Sequence, residues 1–187
     1  MKVVAIYGSA RKNGNGAALV ERAISNFEDK NPELKRYYLS DMDIKSCLGC
    51  FACRKKEMCV RKDDMNNLLQ DMIESDFVIF SSPVYMFDAS GDFRLMINRM
   101  YPMIGGEPGR YTKRHPNKKC MIIMTQGAPT IMFRGAGRNI KRIIKSFGFD
   151  VFGLIRLGFA NEKEAAEKNK SVLRKIDRVC SKVMKSL

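Results

Sequence analysis

The chain has 187 residues, 45% of them apolar, and a formal charge of +14. This composition excludes a disordered chain and suffices for one domain, residues 1–187, with a sizeable core. No apolar run approaches the roughly 18 residues that cross a bilayer, and the apolar stretch ending at Tyr7 is too short for a signal peptide, so a cytoplasmic protein without a membrane partner is expected.

In chain order, the first strand is Val3–Tyr7, nearly unbroken in apolar residues, as a strand buried on both faces should be. A glycine-bearing loop at 8–16 leads into a helix whose stripe is Leu19, Val20, Ala23, Ile24 and Phe27. The second strand is Leu34–Leu39, followed by a cysteine-rich loop at 40–62 and a helix with Met65, Leu68, Leu69, Met72 and Ile73 on one side. The third strand, Phe77–Phe80, runs into the turn 81–91, where Ser90 is placed to cap a helix bearing Phe93, Met96, Ile97 and Met100. A basic loop at 111–119 follows, with the one histidine, His115, expected in solvent.

The fourth strand is Met121–Met124, and a turn holding Gly127 and Pro129 follows it. Ile140, Ile143, Ile144 and Phe147 make the next helix, stopped by Gly148. The fifth strand is Val151–Leu157, and a last helix, about 162 to 186, aligns Leu173, Ile176, Val179, Cys180 and Val183. Cys120 and Cys180 fall in core patterns and read as small buried residues. Strands alternating with helices predict a doubly wound α/β sandwich. Such sheets bind ligands beyond the carboxyl ends of their strands. The loops 8–16, 40–62, 81–91 and 125–137 leave that edge, so metal and cofactor are expected on one side of the molecule.

The loop after the first strand carries glycines at 8, 14 and 16, a hydroxyl at Ser9, amides at Asn13 and Asn15, and Arg11. Free N–H groups and the helix dipole favour a phosphate there, and a guanidinium can fork onto its oxygens. A bare βα turn is the alternative. A Walker loop is missing and the dinucleotide fingerprint lacks its third glycine, so a mononucleotide such as FMN fits better. After the third strand, Pro83 fixes the backbone and Tyr85 offers an aromatic face for a planar ring; after the fourth, Thr125 and Gly127 form a second turn on the same edge.

Four of the six cysteines, Cys47, Cys50, Cys53 and Cys59, have the spacing C-x2-C-x2-C-x5-C. A compact run of this kind can wrap one inorganic core, such as a [4Fe–4S] cluster. Structural zinc more often takes two pairs with a longer spacer. Free or disulfide-forming thiols are the third reading, disfavoured in a reducing compartment. Arg54, Lys55 and Lys56 lie within the run, either favouring a reduced cluster or keeping an exposed loop soluble.

Ten basic residues but one acidic residue lie in 111–160. Such a patch could steer anionic small molecules, ferredoxin or another acidic electron carrier, or nucleic acid. It reads equally as a set of solvated faces. No RNA-reading signature or aromatic-interleaved basic stripe accompanies it, so nucleic acid is not expected.

The Gly8, Ser9, Arg11, Asn13–Asn15 loop, the cysteine run closing on Asp63–Met65, and Ser82–Tyr85 together resemble the NADPH-dependent FMN reductase superfamily, its iron–sulfur flavoprotein branch most of all. The resemblance implies a flavodoxin-like fold of three layers with strand order 2-1-3-4-5, bound FMN, and a homo-oligomer (dimer or tetramer) with flavin near the subunit interface. It also implies that Ser9, Arg11, Asn13, Asn15, Gly16 and Ala17 hold the phosphate. Pro83, Val84, Tyr85, Thr125 and Gly127 would line the ring, and the four clustered cysteines would ligate [4Fe–4S]. Gly16 stands where such proteins often carry Ser or Thr. The expected function is passage of electrons between the cluster and FMN, which links one-electron carriers to two-electron donors or acceptors; no acid–base dyad is needed. Use of NAD(P)H has no second nucleotide motif behind it. Two alternatives remain: a cluster-free NAD(P)H-dependent FMN or quinone reductase, and a zinc-stabilised basic binding module.

Overall fold

A computed structural model describes every residue except Pro108 and Lys163. Its elements in chain order are β1 (Lys2–Tyr7), α1 (Asn15–Ser25), β2 (Glu33–Tyr38), α2 (Cys53–Lys56), α3 (Met65–Glu74), β3 (Phe77–Tyr85), β4 (Asp88–Ala89) and α4 (Gly91–Arg99). There follow β5 (Ile104–Glu107), β6 (Arg110–Lys113), β7 (Lys118–Thr125), α5 (Arg134–Ser146), β8 (Phe149–Leu157), α6 (Ala165–Lys168) and α7 (Lys170–Met184).

The main sheet has the order β2-β1-β3-β7-β8, all parallel, with β4 folding back antiparallel on the end of β3. This is the 2-1-3-4-5 order of a flavodoxin-like fold, with β7 and β8 as its fourth and fifth strands. β1, β3 and β7 take the three central places, which is why their apolar runs are unbroken. β2 lies at the edge and its exposed positions are charged. Side chains alternate across the sheet. One set packs with α3, α4 and α5, the other with α1 and α7. Each large apolar side chain so buried contributes about 1.5–3 kcal/mol.

Three elements differ from the sequence reading. β3 continues past Phe80 to Tyr85, because Ser81, Ser82 and Pro83 still pair with Ile123, Met124 and Thr125 of β7. The last helix does not begin near 162. Asn169 caps α7, its side chain accepting from the Val172 N–H at 3.0 Å, and the short α6 stands before it. An antiparallel hairpin, β5–β6, takes up the first residues of the expected basic loop, Tyr111 to Lys113 pairing with Ile104 to Gly106. His115 is half-buried there, and burial lowers its pKa. Cys120 and Cys180 are fully buried, and burial pushes the Cys180 thiol up to about 12. Among the described residues no helix is long and apolar enough to cross a membrane.

The carboxyl edge of the sheet is held by a small polar network. The Gly8 N–H donates to the Ser81 carbonyl at 2.7 Å, and the Ser90 hydroxyl donates to the Gly8 carbonyl at 2.5 Å. The Ser90 N–H donates to the Ser82 hydroxyl at 3.0 Å. A side chain at position 8 would place its Cβ 2.8 Å from the Ser81 carbonyl oxygen, so the approach of β1's loop to β3 requires glycine. Ser90 thereby ties the cap of α4 to the ends of β1 and β3.

Candidate functional site

Beyond the ends of β1, β3 and β7 lies an open cavity of ≈ 590 Å³, within the ~300–1,000 Å³ of small-molecule sites. Its floor is the loop before α1. Gly14 occupies the N-cap position and supplies no side-chain cap. By their place in the first turn, Asn15, Gly16 and Ala17 have N–H groups without helical acceptors. The loop is closed by Gly14 N–H on the Arg11 carbonyl at 3.0 Å and by Arg11 N–H on the Ser9 hydroxyl at 3.2 Å. Ser9, Arg11, Asn13, Asn15 and Gly16 all line the cavity. Ala17 does not; its side chain belongs to the core, and only its N–H faces the loop.

Asn15 has a different task from the one its residue type suggests. Its amide nitrogen donates to the Ala160 carbonyl at 3.0 Å and the Glu162 carbonyl at 2.8 Å. Its amide oxygen accepts from the Ala166 N–H at 2.8 Å. The side chain is fully engaged, so only the main chain of Asn15 is free for a ligand. What it does is staple the start of α1 to the segment after β8.

At Gly16 the opposite happens. The space a Cβ would take lies 3.2 Å from the Ser81 hydroxyl and 3.8 Å from that of Thr125. Ser81, from β3, therefore brings a hydroxyl to the spot where Gly16 has none.

The upper walls come from Pro83, Val84 and Tyr85 on one side and Thr125, Gln126 and Gly127 on the other. Gln126 holds its turn by donating to the carbonyls of Ala128 at 3.2 Å and Pro129 at 2.6 Å. A third wall, Asn161, Glu162, Glu164 and Glu167, was invisible in the sequence, where it looks like the start of a polar helix. Tyr85 on the upper wall is 53% exposed, and the next two residues, Met86 and Phe87, are 90% and 72% exposed; Ile131, Met132 and Phe159 also lie open.

The four clustered cysteines line a second cavity of ≈ 190 Å³ together with Leu48, Phe51, Val60 and Tyr101. All six cysteines are free thiols. Burial raises the pKa of the Cys53 thiol, with the Cys59 thiol beside it adding to the effect. Among the described residues, no three His, Cys, Asp or Glu side chains converge to hold a single metal ion. Gly49, with φ at 64°, directs its N–H to the Cys47 sulfur at 3.4 Å.

Three arginines hold this loop in place. Arg114 donates to the carbonyls of Cys53 at 3.0 Å and Pro102 at 2.8 Å, and to that of Arg54. Arg54 donates to the Tyr101 hydroxyl at 2.8 Å and lies over the Phe51 ring, 4.4 Å from its centre. Arg99 forks onto Asp63 at 2.6 and 2.9 Å and donates to the Lys45 carbonyl at 2.5 Å. Both side chains of that pair are wholly buried. For Asp63, burial alone would raise the carboxyl, but the Arg99 hydrogen bonds and charge hold it below the ordinary carboxylate range.

The two cavities share no lining residue. The first adjoins the N-terminal end of α4 through Ser82 and Ser90, the second its C-terminal end through Arg99 and Tyr101. At ~1.5 Å per residue the nine residues of α4 span ~14 Å. The two cavities thus lie against opposite ends of α4. The arginines draw the cysteine loop down along α4 and onto the β5–β6 hairpin.

A parallel five-strand sheet with an uncapped helix N-terminus beneath an open cavity defines the flavodoxin-like class. The family model for NADPH-dependent FMN reductase matches residues 1–134, and the chain belongs to that family. It is 30% identical to an iron–sulfur flavoprotein of Archaeoglobus fulgidus, over 86% of this chain and 67% of the relative. It is also 30% identical to the iron–sulfur flavoprotein CD630_04720 of Clostridioides difficile, over 95% of this chain and 77% of that one. Among solved structures, an FMN-dependent NADH-azoreductase from Bacillus anthracis in complex with FMN superposes with a TM-score of 0.76, covering 98% of this chain and 99% of its own at 10% identity. That likeness concerns the fold.

Proposed function

We propose that this oxidoreductase is an iron–sulfur flavoprotein passing electrons between a [4Fe–4S] cluster, held by Cys47, Cys50, Cys53 and Cys59, and FMN, so linking one-electron carriers to two-electron donors or acceptors. The observation that carries this reading is the lining of one cavity by all four thiols, apart from a phosphate-ready cavity on the same chain. Four cysteines so closely spaced suit a cluster better than zinc, which more often takes two separated pairs. When bound, FMN supplies two-electron or one-electron exchange and the cluster one-electron exchange.

The remaining work belongs to the protein. The free N–H groups of Asn15, Gly16 and Ala17, with Ser9, Asn13, Ser81 and the Arg11 guanidinium, would hold the phosphate dianion at the α1 N-terminus. Pro83, Val84 and Tyr85 and the turn at Thr125–Gly127 would position the ring. Leu48, Phe51 and Val60 would give the cluster an apolar surround.

Tyr85 on the cavity wall, with the exposed Met86, Phe87, Ile131, Met132 and Phe159, supports a homo-oligomer with FMN near the subunit interface. Arg54, Lys55, Lys56, Arg61 and Lys62 near the cysteine cavity support an acidic electron carrier such as a ferredoxin as partner. The open mouth of the flavin cavity leaves room for a nicotinamide over the ring.

The test is purification without oxygen, followed by the visible spectrum and assays of FMN, iron and sulfide. About one FMN and about four iron and four sulfide per chain are expected. A yellow protein without iron would identify a cluster-free flavin reductase, and a colourless zinc protein a binding module; either overturns the proposal.

A further inference from the structure

Arg99 stands out because its sequence position hides it. It ends the α4 pattern as a charged residue, where solvent would be the ordinary expectation, yet it is 1% exposed. Its Nη atoms are used on both stems of the cysteine loop. One stem is Lys45, two residues before Cys47, through its carbonyl; the other is Asp63, four residues after Cys59, through both carboxylate oxygens. Asp63 in turn accepts from the Lys45 N–H at 3.1 Å, so the stems are joined twice. A further tie between the stems is the Asp43 N–H on the Asp64 carboxylate at 2.8 Å, while Asn66 braces the second stem by donating to the carbonyls of Cys59 at 3.1 Å and Arg61 at 2.8 Å.

The third nitrogen of the guanidinium is the informative one. Nε of Arg99 is buried and has no hydrogen-bond acceptor among the described residues. Leaving a buried N–H without a partner is costly, and such a group calls for an acceptor not yet counted. Of the four clustered cysteines, Cys59 is the one nearest in sequence to Asp63, and its carbonyl is held by Asn66.

We propose that Arg99 is a positioning residue for the metal site, clasping both stems of the cysteine loop and giving its Nε–H to the Cys59 sulfur. The inference rests on the cluster reading above. Deprotonated and bound to iron, Cys59 would be a better acceptor than a thiol. A guanidinium is always charged at working pH, so it presents the positive end of the Arg99–Asp63 pair to the cluster and favours its reduced form. Arg54, Lys55 and Lys56 sit in or near water, where such an effect is screened; Arg99 does not.

Two variants test this, Arg99→Lys, which keeps the charge but loses the fork and Nε, and Arg99→Gln combined with Asp63→Asn, which removes both charges and keeps amide pairing. Each is prepared without oxygen and compared with the parent protein. Readouts are thermal melting, FMN binding, iron and sulfide content, and an EPR-monitored redox titration of the cluster. The double variant is expected to keep FMN and its fold while the reduced-to-oxidised ratio at fixed potential falls about tenfold, a shift of about 59 mV for one electron. Arg99→Lys is expected to shift in the same direction by less. Loss of iron alone, from a chain that still melts and binds FMN as the parent does, also supports the clasp. A variant that keeps its iron at the parental potential overturns the proposal, as does one that loses fold, FMN and iron together. A parent protein without iron fails at the proposed function itself, which the same assay distinguishes.

Discussion

Replacing Asn15 by alanine separates two roles that a residue in a phosphate loop can have. The side chain makes three hydrogen bonds, to Ala160, Glu162 and Ala166, spanning about 150 positions of sequence. At about 0.5–1.5 kcal/mol each, with one of the three open to water, their loss should cost about 2–3 kcal/mol of stability. The untied segment 160–166 forms one wall of the flavin cavity, so a ligand must order it again on binding. If about 1.4 kcal/mol of the loss falls on binding, affinity drops about tenfold. Denaturant unfolding of the flavin-free protein measures the first effect, and quenching of flavin fluorescence the second. FMN and riboflavin should weaken by the same factor, since the staple shapes the cavity and does not read the phosphate. Unchanged stability with a selective loss of FMN would refute the assignment and make Asn15 a direct phosphate ligand.

Arg11→Ala should show the opposite selectivity. A lost charge-assisted bond of about 1.5–3 kcal/mol weakens FMN about 10–100-fold and leaves riboflavin unaffected in the same quenching titration. Asp63→Ala strands the buried Arg99 charge and should cost about 3–5 kcal/mol in denaturant midpoint measurements. The pH dependence has a definite sign. Because Asp63 is held below its unfolded value of about 3.9, its contribution is complete above that pH and is lost as pH falls through the lower folded value. Acid titration of stability should show this loss in the parent and lack it in the Asp63→Ala variant. Gly148→Ala forces φ of 103° on a side chain and sets a Cβ 2.5 Å from the His115 carbonyl oxygen. It should lower the melting temperature by an amount equivalent to about 1–3 kcal/mol while FMN affinity holds, since Gly148 precedes β8 at the edge away from the flavin cavity.

What could be read from the chain alone was set by short-range periodicity. β1, β3 and β7 announce themselves because strands buried on both faces must be apolar throughout, and helix stripes such as Met65, Leu68, Leu69 and Met72 follow from a 3.6-residue turn. The doubly wound class follows from their alternation, and the cysteine spacing and the glycine-bearing first loop carry chemistry that adjacent residues suffice to express. The tertiary structure decided how those pieces meet. Ser81 and Ser82 look like loop residues until β7 pairs with them, and Asn15 looks like a ligand until Ala166 claims it. Arg99 looks like surface until Asp63 and Lys45 close over it. The placement of the cysteine loop at the far end of α4 is of the same kind. Local pattern tells which face a residue presents, but a hydrogen bond or ion pair between distant segments forms only once the packed sheet has brought its partner within about 3 Å.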